Sequence, residues 1–181
     1  MTIRKMATRD IPVVSAIDSE LYKNAITETE LLQEITDKNN GTKNPLTAPI
    51  VAVNDQGEVV GYTRFDRRVG TTDSLAIFRI STAPGQGRQG VATEMVMHVR
   101  SKLKEMKCNS IFAKVHQDRI PAMNLFAKCG FNCTGTEDVS QGDESFEAYD
   151  FEYSVPLDDR NPRHIASIAK ACREERAGKE E

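Results

Sequence analysis

The stretch Thr82-Ala83-Pro84-Gly85-Gln86-Gly87-Arg88-Gln89-Gly90-Val91-Ala92-Thr93 constrains this chain most. It joins an apolar run, Ser74 to Ser81, to a long helical pattern, Arg88 to Lys107. Three glycines within six residues let the backbone approach a ligand and take φ > 0 where a side chain would clash. The first turn of a helix has amides with no partner inside the helix, and its dipole favours anions. A glycine-rich strand-to-helix junction is therefore read as a phosphate cradle, with Arg88 adding a formal charge. A turn that needs glycine for shape alone is the plainer explanation, but it leaves three glycines and an arginine together unaccounted for.

The rest of the chain supplies strands and helices around that junction. Thr2 to Met6 alternates as a short first strand. Asp10 to Lys23 puts Val14, Ile17 and Leu21 on one helical face, with Thr8 or Asp10 as cap and Pro12 in the first turn. Thr27-x-x-Glu30 is a capping box that opens a second helix, whose Leu31, Leu32 and Ile35 are expected to face inward. Lys38 to Pro49 is rich in Asn, Thr, Gly and Pro and reads as a loop. Ile50 to Val53 and Val59 to Arg67 form a hairpin around Asn54-Asp55-Gln56-Gly57. The run from Ser74 is apolar on nearly both faces, as a central strand is.

After the junction, Val91, Met95, Val99, Leu103 and Met106 line one side of the long helix. Ser110 to Val115 is a further strand, ending at His116-Gln117-Asp118. Ala122, Leu125, Phe126 and Cys129 mark a short helix that Gly130 stops. Phe131 to Val139 and Phe146 to Val155 close a hairpin across an acidic turn, with Tyr149, Phe151 and Tyr153 on one core-facing side. From Pro156 to Glu181 an Asn161-Pro162 start precedes a narrow apolar stripe of Ile165, Ile168, Ala169 and Cys172. That tail packs on the domain or on a second copy in a homodimer.

Composition bounds the function. With 181 residues, 39% hydrophobic and 28% charged, the chain reads as one soluble domain with a tail. A net charge of -3 argues against a nucleic-acid binder that relies on bulk charge. No apolar run reaches membrane-span length, and the start of the chain has no apolar signal core. Cys108, Cys129, Cys133 and Cys172 lack metal spacing, so they read as reduced thiols of a cytoplasmic protein with no metal.

Three motifs compete for the glycines. A phosphate loop of the G-x-x-x-x-G-K-[ST] type fails because Val91 stands where lysine must be. The dinucleotide fingerprint G-x-G-x-x-G is met by Gly85, Gly87 and Gly90, but half the chain precedes it and only one strand-helix-strand unit follows. The third fits the order of elements. Gly87-Arg88-Gln89-Gly90-Val91-Ala92 resembles the Q/R-x-x-G-x-G/A signature of the GNAT superfamily of acyl-CoA-dependent N-acyltransferases, with Gly87 in place of Gln or Arg. A second stretch, Arg119 to Phe131, is similar to that family's N-x-x-A-x-x-L-Y-x-x-x-G-F at Ala122, Leu125, Gly130 and Phe131.

The resemblance implies an α/β fold over residues 1–155, a mixed, mostly antiparallel central sheet flanked by helices in the order β-α-α-β-β-β-α-β-α-β-β. The amphipathic helical tail over 156–181 lies outside it and rests on its own apolar stripe. It implies acetyl-CoA as co-substrate and a primary amine of a small molecule or protein as acceptor. The cofactor contacts it implies are Ile80, Ser81 and Thr82 at the pantetheine, Gly87, Arg88, Gln89, Gly90, Val91, Ala92 and Thr93 at the pyrophosphate, and Arg119 and Phe126 at the later helix. Acceptor choice would rest with Tyr22 to Thr27 and with the acidic hairpin Glu137 to Glu147.

The chemistry departs from the family in two places. The tyrosine that many members use as general acid is Phe126, and the glutamate that one branch uses as base is Lys114. Strand alternation puts His116 on the face of Lys114, which makes it the candidate base. An exposed histidine bonded only to water is the alternative reading of that residue. A GNAT-fold protein that binds acyl-CoA without turnover, or a dinucleotide-binding oxidoreductase, are the alternative functions.

Overall fold

Leu75, Ala76 and Ile77 are all buried, so their strand belongs inside the sheet. The computed structural model of the chain, which describes residues 1–40, 49–141 and 144–156, places it there. The elements are β1 (Thr2–Lys5), α1 (Ile11–Leu21), α2 (Glu28–Asn39), β2 (Ile50–Val53), β3 (Val59–Arg67), β4 (Ser74–Thr82), α3 (Val91–Met106), β5 (Ser110–His116), α4 (Ile120–Lys128), β6 (Asn132–Gln141) and β7 (Glu144–Ser154). One seven-stranded sheet runs β1-β2-β3-β4-β5-β7-β6. Its pairs are antiparallel except β4 with β5. That is the mixed, mostly antiparallel sheet and the element order expected from the sequence.

Helices cover both faces. Val96, Val99, Leu103 and Met106 of α3 and Phe126 of α4 share one buried cluster with Leu75, Ile77, Ile111 and Phe151 of the sheet. On the other face Val14 and Ile17 of α1 and Leu31 and Ile35 of α2 pack on Val51 and Tyr62. Gly61 lets α3 seat closely. A Cβ there would lie 2.9 Å from the Ser81 carbonyl oxygen and 3.0 Å from Val91.

Local signals act as their chemistry requires, with four differences. Glu30 accepts from the Thr27 N–H at 2.8 Å and its own N–H reaches Thr27 Oγ1 at 3.2 Å, closing the capping box of α2. Leu32, however, is 45% exposed. Adjacent helical residues point about 100° apart, and the apolar stripe of α2 is too narrow to hold both leucines. Asp10 does not cap α1 through its side chain. Its carboxylate instead takes two hydrogen bonds from Arg4, 2.6 and 2.8 Å, and the Ala7 N–H, and the guanidinium holds its pKa below the usual carboxylate range. Helix α2 runs to Asn39, beyond the expected loop start at Lys38, and α3 begins at Val91 rather than Arg88 because left-handed residues precede it.

The remainder of the expected loop, 41–48, the turn at 142–143 and the tail from 157 on lie outside the described residues. Among the described residues, no helix is long and apolar enough to cross a membrane.

Candidate active site

The site begins where two parallel strands part. β4 pairs with β5 from Ser74↔Ser110 to Ile77↔Ala113 and no further, although β4 continues to Thr82 and β5 to His116. The cause is local. Opposite β3, Arg64 faces Arg79 and Phe65 faces Ile77, which leaves Phe78 as an extra residue. Such a bulge bends and twists its strand. The Phe78 side chain is thrown outward, 56% exposed.

Beyond the bulge, main-chain groups alternate between β3 and the gap. The Ala83 N–H bonds Val60 O at 2.9 Å, and Arg79 O accepts from Thr63 Oγ1 at 2.6 Å. Arg79, Ser81 and Ala83 therefore face β3, and Ile80 and Thr82 turn their amides and carbonyls toward the gap. Ile80 and Thr82 are thus an open strand edge. Ser81 pairs with Tyr62 and its side chain is buried; among the described residues its hydroxyl has no partner.

At the head of that edge lies the glycine-rich turn. Gly85 (φ 76), Arg88 (φ 64) and Gly90 (φ 83) are all left-handed. Arg88 is strained there, because an L side chain crowds its own backbone in that region. Gly90 is the N-cap of α3 and no side chain caps the helix. The amides of Val91, Ala92 and Thr93 open the helix, where an anion is favoured by both the free N–H groups and the dipole. A Cβ at Gly87 or Gly90 would meet nothing within 4 Å, so the turn stands open above the backbone. Gly87 to Thr93 thus converge on one corner, contiguous with Ile80 to Thr82.

The catalytic candidates divide. Lys114 donates to Glu137 and lies 3.5 Å from Asp150 Oδ1. The Glu137 hydrogen bond and both carboxylates raise its pKa, so it stays a cation and is no base. His116 stacks on Phe146, centroids 4.3 Å apart, and its Nδ1 accepts the Asp118 N–H at 3.1 Å. A neutral ring held this way carries its proton on Nε2 and presents a donor there. Phe126 is buried against Phe131 and Phe151, in the core rather than on the open edge. Cys129 is buried too, and burial pushes its thiol pKa up, so it holds its proton tightly. Arg119, next to the start of α4, reaches across the gap and donates to Leu21 O.

A polar cluster above the gap was not evident from the sequence. Asp18, fully buried, accepts from Arg79 Nη1 at 2.9 Å, from the Ile26 N–H at 2.6 Å and from the Tyr62 hydroxyl. Burial first, and then the Asp18 carboxylate, pushes the Tyr62 phenol far above its usual value. Arg79 also donates to Asn24 O, and its guanidinium lies 4.2 Å from the Tyr22 ring centroid. The one hint in the sequence is a charge inside an apolar pattern: Asp18 among Val14, Ile17 and Leu21, and Arg79 between Phe78 and Ile80.

A helix start without a side-chain cap, continuous with an open strand edge, is a layout that suits an extended phosphorylated ligand. Only β4 and β5 run parallel among the described strands, too few for a dinucleotide-binding sheet. Residues 15–131 match the Acetyltransferase (GNAT) family, and the chain belongs to it. Acyl transfer is the reaction of that family. A search of curated proteins returns no match.

Solved structures share the fold at low identity. Ribosomal-protein-alanine N-acetyltransferase from Brucella melitensis is 17% identical with a TM-score of 0.72, covering 86% of this chain and 100% of its own. Ard1 from Thermoplasma volcanium is 22% identical, TM-score 0.72, covering 85% and 97%. A phosphinothricin acetyltransferase from Sinorhizobium meliloti, in complex with AcCoA, is 13% identical, TM-score 0.69, covering 85% and 88%.

Proposed function

We propose that this protein transfers an acetyl group from acetyl-CoA to a primary amine of a small molecule or protein. The observation that carries the reading is the continuity of the open β4 edge with the uncapped start of α3. Val91, Ala92 and Thr93 would give their amides to the pyrophosphate, with Gly87 to Gly90 shaping the turn and Arg88 adding charge. Ile80 and Thr82 would pair with the amides of the pantetheine arm as a missing strand would. Ser81 holds the edge from the β3 side, and Arg119 closes it from α4. Phe126 supports this end of the site from the core.

His116 is the proposed base, with its route altered by the geometry. It takes the acceptor's proton at Nδ1 by releasing the Asp118 N–H, and the Asp118 carboxylate, 3.7 Å from Nδ1, then faces the imidazolium. No metal is needed for this step.

The reading is tested by following free thiol released from acetyl-CoA against a panel of amines, with His116→Ala as the comparison. Amine-dependent release that falls roughly a hundredfold in the variant supports it. Binding of acetyl-CoA with no release for any amine would favour a non-catalytic acyl-CoA-binding protein instead.

A further inference from the structure

Resting on that reading, we propose that Tyr22 is the proton donor to the leaving coenzyme A thiolate, the role for which Phe126 has no proton. Tyr22 follows the last residue of α1 and projects into the gap between β4 and β5. Its hydroxyl donates to Ile80 O at 3.4 Å, a carbonyl of the open edge. That is longer than a normal O–H···O bond, so the hydroxyl is loosely held and free to turn to another acceptor. The pantetheine arm would lie along the same edge, which brings the sulfur and this hydroxyl to one place.

The setting also suits the phenolate left behind. The guanidinium of Arg79, from β4, lies 4.2 Å from the ring centroid, and that of Arg119, preceding α4, lies 5.5 Å away. Each is tied to a main-chain carbonyl beside Tyr22, Asn24 O in the loop after α1 and Leu21 O at the end of that helix. Two cations from opposite lips of the gap thus flank the ring that carries the hydroxyl. Asp18, from α1, offsets part of the Arg79 charge, and the Tyr62 phenol, from β3, lies behind it. Lys23 is the next residue in the loop.

The proton count closes. As the acceptor nitrogen bonds to the carbonyl carbon and the C–S bond breaks, the electron pair of that bond goes to sulfur and Tyr22 gives its O–H proton to it. His116 has taken the proton of the nitrogen and returns it through water to the Tyr22 phenolate. The residues end as they began.

The test uses the full chain, with turnover and binding read separately. Tyr22→Phe keeps the ring between the two arginines and removes only the hydroxyl. Its kcat should fall roughly a hundredfold or more, with KM for acetyl-CoA within about twofold. Tyr22→fluorotyrosine, with a more acidic phenol, should move the alkaline limb of kcat to lower pH. Its fluorine resonance should shift on adding coenzyme A and shift less with desulfo-coenzyme A. Wild-type kcat in Tyr22→Phe, a loss confined to KM, or equal fluorine shifts with the two ligands would each overturn the assignment while leaving acetyl transfer intact. If the wild-type protein binds no coenzyme A at all, both readings fall.

Discussion

The same two strands are built in two ways. From Ser74 to Ile77 and from Ser110 to Ala113, β4 and β5 are paired, and their inward side chains Leu75 and Ile111 are fully buried. Past Ile77 and Ala113 the strands part, and the side chains and turns around them become arginines, histidine, tyrosine and left-handed glycines. The lower half pairs its strands and packs apolar side chains such as Leu75, Ile77 and Ile111 into the core. The upper half leaves a strand edge and a helix start unpaired, which costs stability and supplies donors and acceptors for a ligand. One bulged residue, Phe78, separates them.

Substitutions can sharpen or break that contrast. The largest expected effect lies where the upper half is tied down. Asp18→Ala removes the buried partner of the part-buried Arg79 and strands the Ile26 N–H and the Tyr62 hydroxyl, and should cost about 3–5 kcal/mol in denaturant unfolding. A loss below about 1 kcal/mol would mean the cluster does not hold the α1–α2 loop over the gap. In the lower half, Leu75→Ala should cost about 2–5 kcal/mol and leave acetyl-CoA affinity of the folded protein unchanged. A change in affinity would show that the two halves are not separable.

Gly90→Val reverses the pattern. With φ 83 at the N-cap of α3, a β-branched residue should cost about 1–3 kcal/mol in stability and weaken acetyl-CoA roughly tenfold or more by calorimetry. Unchanged affinity would remove the cradle from the account. The smallest effect is the most specific. Arg88→Gly relieves a left-handed backbone and should stabilise by about 1 kcal/mol, while lowering affinity for acetyl-CoA. A variant that is no more stable would show that the strain is not stored there.

What the sequence made legible follows the same division. Helical and strand periods located the strands and the four α-helices, because buried apolar side chains must recur at 3.6 or 2 residues, but not the short 3-10 turn at Thr8–Asp10. Glycine spacing located the turn at Gly85 to Gly90 for an equally local reason. The bulge at Phe78 was hidden, since an extra residue in an apolar strand changes no letter pattern. The Asp18–Arg79–Tyr62 cluster was hidden too, because its members lie 44 and 61 residues from Asp18 and meet only after the sheet forms. Alternation nominates His116 as a candidate, but the proton position on its ring depends on a bond to Asp118 N–H that alternation does not encode. Leu32 shows the converse: an apolar letter beside the true stripe that faces solvent.

The most direct test of the central claim is a thermal-unfolding series with acetyl-CoA, with NAD as the control ligand. Ligand at a hundred times its dissociation constant adds about 2.7 kcal/mol, enough to raise the midpoint by a few degrees in a chain of this length. The account predicts a rise with acetyl-CoA, none with NAD, and loss of the rise in Gly90→Val. A rise with NAD alone, or an acetyl-CoA rise that Gly90→Val leaves intact, would contradict it.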